Sequence, residues 1–369
     1  MGCNSPNVIY RLPFKKYKKD GTLGENILFS PYKVKNYDRF YSTMGIKDYG
    51  FTDGSFGKLS EDGVHCIAPD FIETVGGITC VRELVNCGNC LGCRLQYSKE
   101  WANRIVLESM LYPRERCWFV TLTYDPSEIS IENGTLNQWN LMTLNKEHSV
   151  KFMKDLRAYW QYHYDHKGIR EFTAGEYGDK SDRPHYHFCL FNIDIPDLKF
   201  FGTNFRGDVF YTSEILTSVW GRGHVIVSEL NWATAAYTAR YVLKKARDLD
   251  DKRFHQNFDI PLPFTTKSNR PGLAHDFFEK SFDQIYEKDT IVLPSFGGKE
   301  KVVKPPKYFD ILYQRVNPEH YEQVKEHRKY IAEIVADRIK KSHNYSEEQF
   351  FDIQAANLQE RAKKLKREL

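Results

Sequence analysis

Apolar residues recur along this chain with helical spacing in several segments. In RLQYSKEWANRIVLESML, residues 94–111, and in the segment that follows Ser149, apolar side chains lie three or four positions apart, which is typical of one face of an α-helix. The segment ATAAYTARYVLKKAR, residues 233–247, is rich in strong helix formers and predicts another helix. A further, short helix has Thr212 or Ser213 as its capping residue.

Other segments are rich in β-branched and aromatic residues and predict strands. They are CWFVTLTYD from Cys117, IREFTAGEYG from Ile169, HYHFCLFNIDI from His185 and GHVIVSEL from Gly223. The polar segment DKSDRP favours an antiparallel hairpin between the second and third of these strands. The order of helices and strands predicts an α+β fold, in which helices cover one face of a central antiparallel sheet.

Changes in composition along the chain predict four regions. Residues 1–80, rich in Gly, Tyr, Lys and Asp, form a partly irregular N-terminal arm or short strands. Residues 81–250 form the α+β core, with a cysteine cluster at its start. Residues 251–316 form an extension that packs on the core, and residues 317–369 form a charged helical tail.

Composition and charge leave most function classes open. The 369 residues carry 53 Lys and Arg against 49 Asp and Glu, a net charge of +4 that fits almost any partner. The aromatic share of 15% suits stacking on unpaired bases, although a tyrosine-rich core explains it equally well. Because the chain lacks a long apolar run and a secretory signal, we expect a cytoplasmic location and no membrane partner. In the cytoplasm the eight cysteines are expected to be mostly thiols.

The segment PHYHFCLF contains two histidines on one predicted strand. Side chains alternate between the two faces of a strand, so His185 and His187 point to the same face and Tyr186 points away. If the hairpin forms, Glu176 on the preceding strand lies beside them. Two imidazoles and a carboxylate suit Mg²⁺ or Mn²⁺ with open coordination positions. The alternative is a hydrogen-bonded histidine pair on an exposed strand.

The segment AYTARYVLKK places two tyrosines on one face of the helix predicted over residues 233–247. Tyr237 and Tyr241 lie four positions apart, and Lys244 and Lys245 continue that face. Core packing is the usual role of a tyrosine pair with this spacing.

A second candidate metal site is formed by cysteines. The spacing C-x₂-C-x₂-C, with a further cysteine upstream, fits a structural zinc site, and unligated thiols are the alternative. The predicted zinc ligands are Cys87, Cys90, Cys93 and either Cys80 or Cys66. Cys117 and Cys189 lie in apolar strands and are predicted to pack in the core.

Three of these motifs occur in an order that resembles the HUH endonuclease superfamily, specifically its two-tyrosine replication initiators. FVTLTYD is similar to the first motif, PHYHFCLF to the metal-binding motif and AYTARYVLKK to the tyrosine motif. CGNCLGCR, GEYGDKSDRPHYHFCLF, YTSEIL, TKSNRPGLA and PPKYFD look like segments of the replication initiators of gokushovirus-type Microviridae. The resemblance extends from about residue 80 to residue 315.

The resemblance implies an HUH endonuclease fold and a rolling-circle mechanism in the cytoplasm of the host bacterium. The metal ion would activate the scissile phosphate of single-stranded or supercoiled viral origin DNA, and a tyrosine would form a 5′-phosphotyrosine. Tyr237 and Tyr241 would be the two catalytic tyrosines, of which the second allows strand transfer and circularisation. Lys244 or Lys245 would stabilise the phenolate. Implied partners are a host helicase and DNA polymerase, because the chain has no phosphate-binding G-x-x-x-x-G-K-[ST] loop, and the phage capsid during packaging.

Basic residues near these motifs are candidate phosphate contacts, with solvated charges as the alternative. They are Lys180, Arg183, Arg240, Lys267 and Arg270. Two other function classes stay open: a relaxase or transposase of the same superfamily, and a non-catalytic nucleic-acid-binding module. The position of the tyrosine pair after the histidine motif favours a replication initiator over the former.

Overall fold

The computed structural model describes residues 3, 5–17, 23–33, 72–75, 78–178, 182–205, 207–240, 255–294, 300–342 and 347–363. Contacts within the chain divide it into two compact units. The smaller unit consists of Met1–Gln96 and Ile331–Leu369, and the larger unit is Tyr97–Tyr330. The domain boundaries suggested by composition, at residues 80, 250 and 316, stay a prediction.

The strands of the described residues are β1 (Asn7–Tyr17), β2 (Leu23–Lys33), β3 (Ile72–Val75), β4 (Ile78–Val85), β5 (Cys117–Tyr124), β6 (Arg170–Tyr177), β7 (Pro184–Phe191), β8 (Lys199–Thr203), β9 (Val209–Thr212), β10 (Gly223–Glu229), β11 (Phe264–Lys267), β12 (Ile291–Leu293) and β13 (Lys301–Val303). The principal α-helices are α1 (Leu91–Ser109), α2 (Lys146–Tyr164), α3 (Glu214–Trp220), α4 (Trp232–Arg240), α5 (His275–Lys288), α6 (Lys307–Val316), α7 (Pro318–Ser342) and α8 (Glu347–Lys363).

The larger unit is built around a seven-stranded sheet with the order β11, β6, β7, β5, β10, β9, β8. All neighbouring strands are antiparallel. Strands β6 and β7 form the predicted hairpin, and helices flank the sheet, so the predicted α+β fold with a central antiparallel sheet is confirmed. The sequence pattern did not predict β8, β9 and β11, which have only four or five residues each and therefore carry a weak periodic signal.

One face of this sheet, which we call the site face, carries the side chains of Cys117, Phe172 and Cys189. They belong to one buried cluster with apolar side chains of α1, α4, α5 and α6. The side chains of Cys117 and Cys189 are 3% and 0% exposed, which confirms that they pack in the core.

The opposite face, which we call the far face, carries Tyr186, Phe188 and Leu190 of β7 and packs against α2 and α3. The ring centroids of Phe188 and Phe152 of α2 are 5.1 Å apart. Tyr186 therefore points away from the histidines, as predicted. The prediction that helices cover only one face was wrong: β7 is buried on both faces, as its apolar run HFCLF requires.

Side-chain caps set the starts of α3 and α2. Ser213 accepts a hydrogen bond from the backbone N–H of Leu216 at 3.0 Å, which confirms one of the two predicted caps. Helix α2 begins at Lys146 rather than after Ser149, because the side chain of Asn145 accepts from the N–H of Glu147 at 3.0 Å.

The smaller unit contains a four-stranded antiparallel sheet with the order β2, β1, β4, β3. Strand β1 pairs with β4 in the register Asn7↔Val85 to Arg11↔Val81. The predicted N-terminal arm thus includes strands. Nowhere in the described part of the chain is a helix both long and apolar enough to cross a bilayer.

A buried hydrogen-bond chain on the far face has a defined direction. The Tyr186 hydroxyl donates to the carbonyl of Asn145 at 2.7 Å, so the Tyr124 hydroxyl, 2.7 Å from that of Tyr186, must donate to it. The Tyr124 oxygen then accepts from Nδ1 of His148, which lies 2.7 Å away. Burial and, to a smaller extent, the charge of Arg222 lower the pKa of His148 to about 4, so this imidazole is neutral at pH 7.

We predict that replacing Phe188 by Ala lowers the free energy of unfolding by about 3–5 kcal/mol, because the change leaves a cavity in the core. Phe188 is 0% exposed, whereas Phe200 on edge strand β8 is 67% exposed. The same change at Phe200 is expected to cost less than about 0.5 kcal/mol. Urea denaturation measures both, and equal losses would contradict the core position of Phe188.

We predict that His148 destabilises the protein as the pH falls from about 6.5 to 4. Its pKa is lower in the folded state than the ordinary value near 6.5, so the unfolded chain binds more protons in this window. The expected loss is about 1–2 kcal/mol, less than the full pKa shift implies because solvent reaches part of the side chain. Urea denaturation should show a smaller loss for His148→Gln, and equally steep losses in both proteins would refute the assignment.

Candidate active site

The β6–β7 hairpin brings a carboxylate and two imidazoles together on the site face. Its register pairs Glu176 with His185 and Ala174 with His187, so all three candidate ligands share one face. Nε2 of His185 lies 2.9 Å and Nε2 of His187 lies 3.0 Å from the same oxygen, Oε1 of Glu176. The three potential ligand atoms lie within 4.8 Å of one another. The juxtaposition expected from the sequence is therefore present.

Two residues of the cluster are buried, and the third is partly exposed to solvent. Glu176 is 2% exposed and His187 is 1% exposed, while the side chain of His185 is 15% exposed. Burial raises the pKa of the Glu176 carboxyl, but the hydrogen bonds and charges of His185 and His187 outweigh it and hold that pKa well below its ordinary value. The site thus contains an ionised carboxylate at neutral pH.

The outer nitrogens of both histidines have partners that orient the rings. Nδ1 of His185 lies 3.0 Å from the carbonyl oxygen of Arg183, which only accepts, so Nδ1 carries the proton. Nδ1 of His187 lies 3.0 Å from Oγ1 of Thr121, which can accept in the same way. Each arrangement directs Nε2 toward Glu176, the geometry of imidazoles that bind a metal through Nε2.

The ring of His187 is held between two aromatic side chains. Phe119 on β5 stacks on it with the ring centroids 5.4 Å apart and the planes 11° apart. Tyr237 meets it edge-on, with the centroids 5.1 Å apart. Packing therefore restricts the ring of His187, which is fully buried.

Helix α4 carries Tyr237 to this cluster. The helix starts directly after β10 because the side chain of Asn231 accepts from the N–H groups of Ala233 and Thr234, at 2.9 and 3.0 Å. Ala235 and Ala239 are fully buried in the cluster on the site face. The Tyr237 hydroxyl then lies 3.3 Å from Oε1 of Glu176 and donates to it. A phenol, two imidazoles and a carboxylate thus converge on one point.

Several predicted site residues lie outside the described part of the chain, and their roles stay predictions. They are Tyr241, Lys244, Lys245 and Lys180.

The other predicted basic residues lie at different distances from the cluster. Arg183 precedes His185 by two residues, and Cζ of Arg240 lies 5.8 Å from the ring centroid of Tyr237. Lys267 pairs with Phe172 in the β11–β6 register, four residues along β6 from Glu176, with Nζ 5.0 Å from the ring centroid of Trp101. Arg270 is exposed in the loop after β11. The structure brings Arg183 and Arg240 to the cluster, and it does not bring Lys267 and Arg270 there.

The cysteine cluster has a composition that the sequence pattern did not predict. Potential ligand atoms of Cys3, Cys87, Cys90 and Cys93 lie within 4.8 Å of one another. The fourth position, predicted for Cys80 or Cys66, is thus taken by Cys3. Only the backbone of Cys80 is described, in β4 opposite Glu73, and Cys66 lies outside the described residues.

Sequence reasoning missed Cys3, Thr121 and Phe119. Cys3 lies 84 positions before Cys87, the cysteine that it contacts, so it belongs to no spacing motif and no local pattern indicated it. A signal for Thr121 and Phe119 existed: in FVTLTYD the alternation puts both on one face of β5, and the register Thr121↔His187 turns that face toward the histidines.

Comparisons with known proteins agree with one another. Residues 117–246 match the family described as replication-associated protein ORF2/G2P. The chain is 34% identical over 254 residues to replication-associated protein ORF2 of Spiroplasma virus 4, covering 68% of this chain and 75% of the relative. It is 28% identical over 273 residues to replication-associated protein VP4 of Bdellovibrio phage phiMH2K, covering 70% and 80% of the two chains. Identity to replication-associated protein ORF4 of Chlamydia phage 1 is 30% over 243 residues, covering 64% and 55%. No solved structure matches the chain significantly.

Proposed function

This chain belongs to the phage replication-associated protein family ORF2/G2P, and we propose that it initiates rolling-circle replication by nicking single-stranded origin DNA. The proposal assigns it the chemistry of a two-tyrosine HUH endonuclease and strand transferase. The observation that carries the proposal is the convergence of the Tyr237 hydroxyl and both Nε2 atoms of His185 and His187 on one oxygen of Glu176. This arrangement places a nucleophile beside a set of metal ligands.

The ligand set fits a divalent cation. Nδ1 of His185 donates to the carbonyl of Arg183, which leaves Nε2, 2.9 Å from Oε1 of Glu176, as the ring nitrogen that can bind a metal ion. His187 can present Nε2 in the same way. One carboxylate and two imidazoles favour Mn²⁺ or Mg²⁺, with positions left for phosphate oxygens. The ion would supply Lewis-acid polarisation and charge neutralisation at the scissile phosphate.

Tyr237 serves as a nucleophile in this scheme. Its oxygen forms a bond to phosphorus while the bond from phosphorus to the 3′ oxygen breaks, which leaves a 5′-phosphotyrosine and a 3′-hydroxyl. The ionised Glu176 is a weak base because its pKa is held well below the ordinary value. The phenolate therefore depends on nearby positive charge, for which Arg240, Lys244 and Lys245 are the candidates.

Tyr241 is the second nucleophile of the proposed cycle. It lies four positions beyond Tyr237 in the sequence, and the helical pattern predicts that both phenols share one face. It attacks the regenerated origin while the first phosphotyrosine still holds the displaced strand, whose new 3′-hydroxyl then closes the circle. The phosphotyrosine conserves the phosphodiester bond energy, so the steps need no nucleotide hydrolysis. Host helicase and host polymerase in the bacterial cytoplasm supply unwinding and synthesis.

Phosphates of the single strand are proposed to lie along basic residues on and around the site face. Within the described part of the chain, the buried Nε of Arg183 has no hydrogen-bond partner, which suits an incoming phosphate oxygen. Arg240 lies beside the nucleophile and Lys267 lies farther along β11 on the same face. Lys180 and Arg270 extend this set.

We predict that the wild-type protein binds one Mn²⁺ ion at this site and that Glu176→Gln lowers the affinity at least about tenfold, because it removes the anionic ligand. Thr121→Val is expected to lower the affinity about 10–100-fold, because it removes the acceptor that orients His187. Thr123→Val changes the next residue on the same face of β5 and serves as the control, with unchanged affinity. Titration calorimetry measures all four proteins, and wild-type affinity in Glu176→Gln would refute the ligand assignment.

We predict that the protein forms a covalent adduct with single-stranded origin DNA in the presence of Mn²⁺, seen as a shifted band on a denaturing gel. Tyr237→Phe is expected to reduce the adduct by at least about 100-fold, because it removes the attacking oxygen. Replacing both Tyr237 and Tyr241 should abolish it. The control is Tyr162→Phe on α2, whose side chain is 85% exposed and whose loss should leave the adduct unchanged.

The outcomes of the adduct experiment separate the competing functions. A protein that binds DNA without forming an adduct on any origin sequence is a non-catalytic binding module, and the nickase proposal then fails. An adduct that persists after both tyrosines are replaced refutes only the choice of nucleophile.

A further inference from the structure

We propose that Cys3, Cys87, Cys90 and Cys93 bind one structural zinc ion, with Cys3 as the ligand that ties the start of the chain to the first turn of α1. None of these residues belongs to the proposed nicking site. A failure of the nicking proposal would therefore leave the zinc proposal unaffected, and the reverse also holds.

The sulfur positions match a tetrahedral site. Sγ of Cys3 lies 3.6 Å from Sγ of Cys87 and 3.6 Å from Sγ of Cys90. Four thiolates at the usual zinc–sulfur distance of about 2.3 Å stand about 3.8 Å apart at the corners of a tetrahedron. All four ligand atoms lie within 4.8 Å of one another. The set is too compact for a cluster of several metal atoms, whose sulfur ligands must surround a larger core.

Backbone N–H groups point at the sulfurs. The N–H of Cys87 donates to Sγ of Cys3 at 3.3 Å, that of Cys90 to Sγ of Cys87 at 3.3 Å, and that of Cys93 to Sγ of Cys90 at 3.5 Å. Such donors stabilise negative charge on sulfur, which a zinc thiolate carries and a neutral thiol does not. The backbone around the cluster is thus arranged for thiolates.

The local chain folds around the sulfurs for identifiable reasons. Gly88 has a φ of 76°, a left-handed conformation that glycine adopts without strain, and it turns the chain between Cys87 and Cys90. Helix α1 begins at Leu91, so Cys90 and Cys93 lie at its N-terminal end, where the helix dipole favours negative charge.

A disulfide does not account for the cluster. All four cysteines are free thiols, and the closest sulfurs, 3.6 Å apart, are well beyond the bonding distance of about 2.05 Å. A redox pair would use two thiols and leave two others packed against it without a role. A single soft divalent ion uses all four at once.

Cys3 is the residue that distinguishes this proposal from a site made only by the C-x₂-C-x₂-C segment. It is 7% exposed and belongs to the core of the smaller unit, although it is the third residue of the chain. Binding through Cys3 closes a loop of more than eighty residues. Zinc is therefore expected to order the N-terminal segment, and its removal to expose that segment to protease.

The test measures metal content and ligand type in the full-length protein, with any affinity tag at the C-terminus. To exclude binding at the His–Glu cluster, the protein carries His187→Ala and Glu176→Gln. We expect one zinc per chain by elemental analysis, and X-ray absorption at the zinc edge should show four sulfur ligands at about 2.3 Å. Less than half a zinc per chain, iron in place of zinc, or nitrogen and oxygen ligands would each overturn the proposal.

Variants identify the fourth ligand. Cys3→Ser is expected to lower zinc affinity at least tenfold and to weaken the visible absorption of the Co²⁺-substituted protein, because one thiolate is lost. Cys80→Ser is the matched control, with unchanged affinity and spectrum. An unchanged Cys3→Ser protein, or loss of zinc in Cys80→Ser, would overturn the assignment. Should Cys3→Ser fail to fold, chelation of the wild-type protein supplies the readout: proteolysis within the first 30 residues should accelerate, and an unchanged rate would count against the proposal.

Discussion

A single carboxylate oxygen organises the candidate site. Oε1 of Glu176 lies within hydrogen-bond distance of both histidine Nε2 atoms and of the Tyr237 hydroxyl. This convergence depends on the register of the β6–β7 hairpin, which pairs Glu176 with His185. A slip of one residue would turn either the carboxylate or the imidazoles to the far face, so the register of two strands decides whether the site exists.

Packing on both faces of the sheet keeps that register in place. On β7 the histidines point to the site face, while Tyr186 and Phe188 point into the far-face core and are fully buried. A slip of one residue would move those rings to the site face and bury the histidines among the apolar side chains of the far face, at a cost of several kcal/mol. The register that buries these rings on the far face is therefore the same register that places His185 and His187 beside Glu176.

The chain presents two donor sets of different chemical character. The set on the site face contains two nitrogens and a carboxylate oxygen, which favour Mn²⁺ or Mg²⁺, and it lies beside Tyr237, the proposed nucleophile. The set at the start of α1 contains four sulfurs, which favour zinc and leave no position for a substrate. The first set suits chemistry and the second suits ordering of the chain.

Much of this protein was determined locally by its sequence. The period of two in PHYHFCLF and in GEY placed the histidines on one face, the helical period of AYTAR placed Tyr237, and the short polar turn specified an antiparallel hairpin. Caps such as Ser213 were equally visible. Each of these features rests on interactions between residues a few positions apart, which is why a linear pattern records them.

The remaining features were decided by tertiary structure, because they depend on residues that are distant in sequence. Helices cover both faces of the sheet, and only the packed cores reveal the second layer. Thr121 orients His187 across a strand pair, 66 positions apart, and Cys3 joins the cysteine cluster across 84 positions. No periodicity reports such contacts, since chain closure and strand pairing create them only when the whole chain has folded.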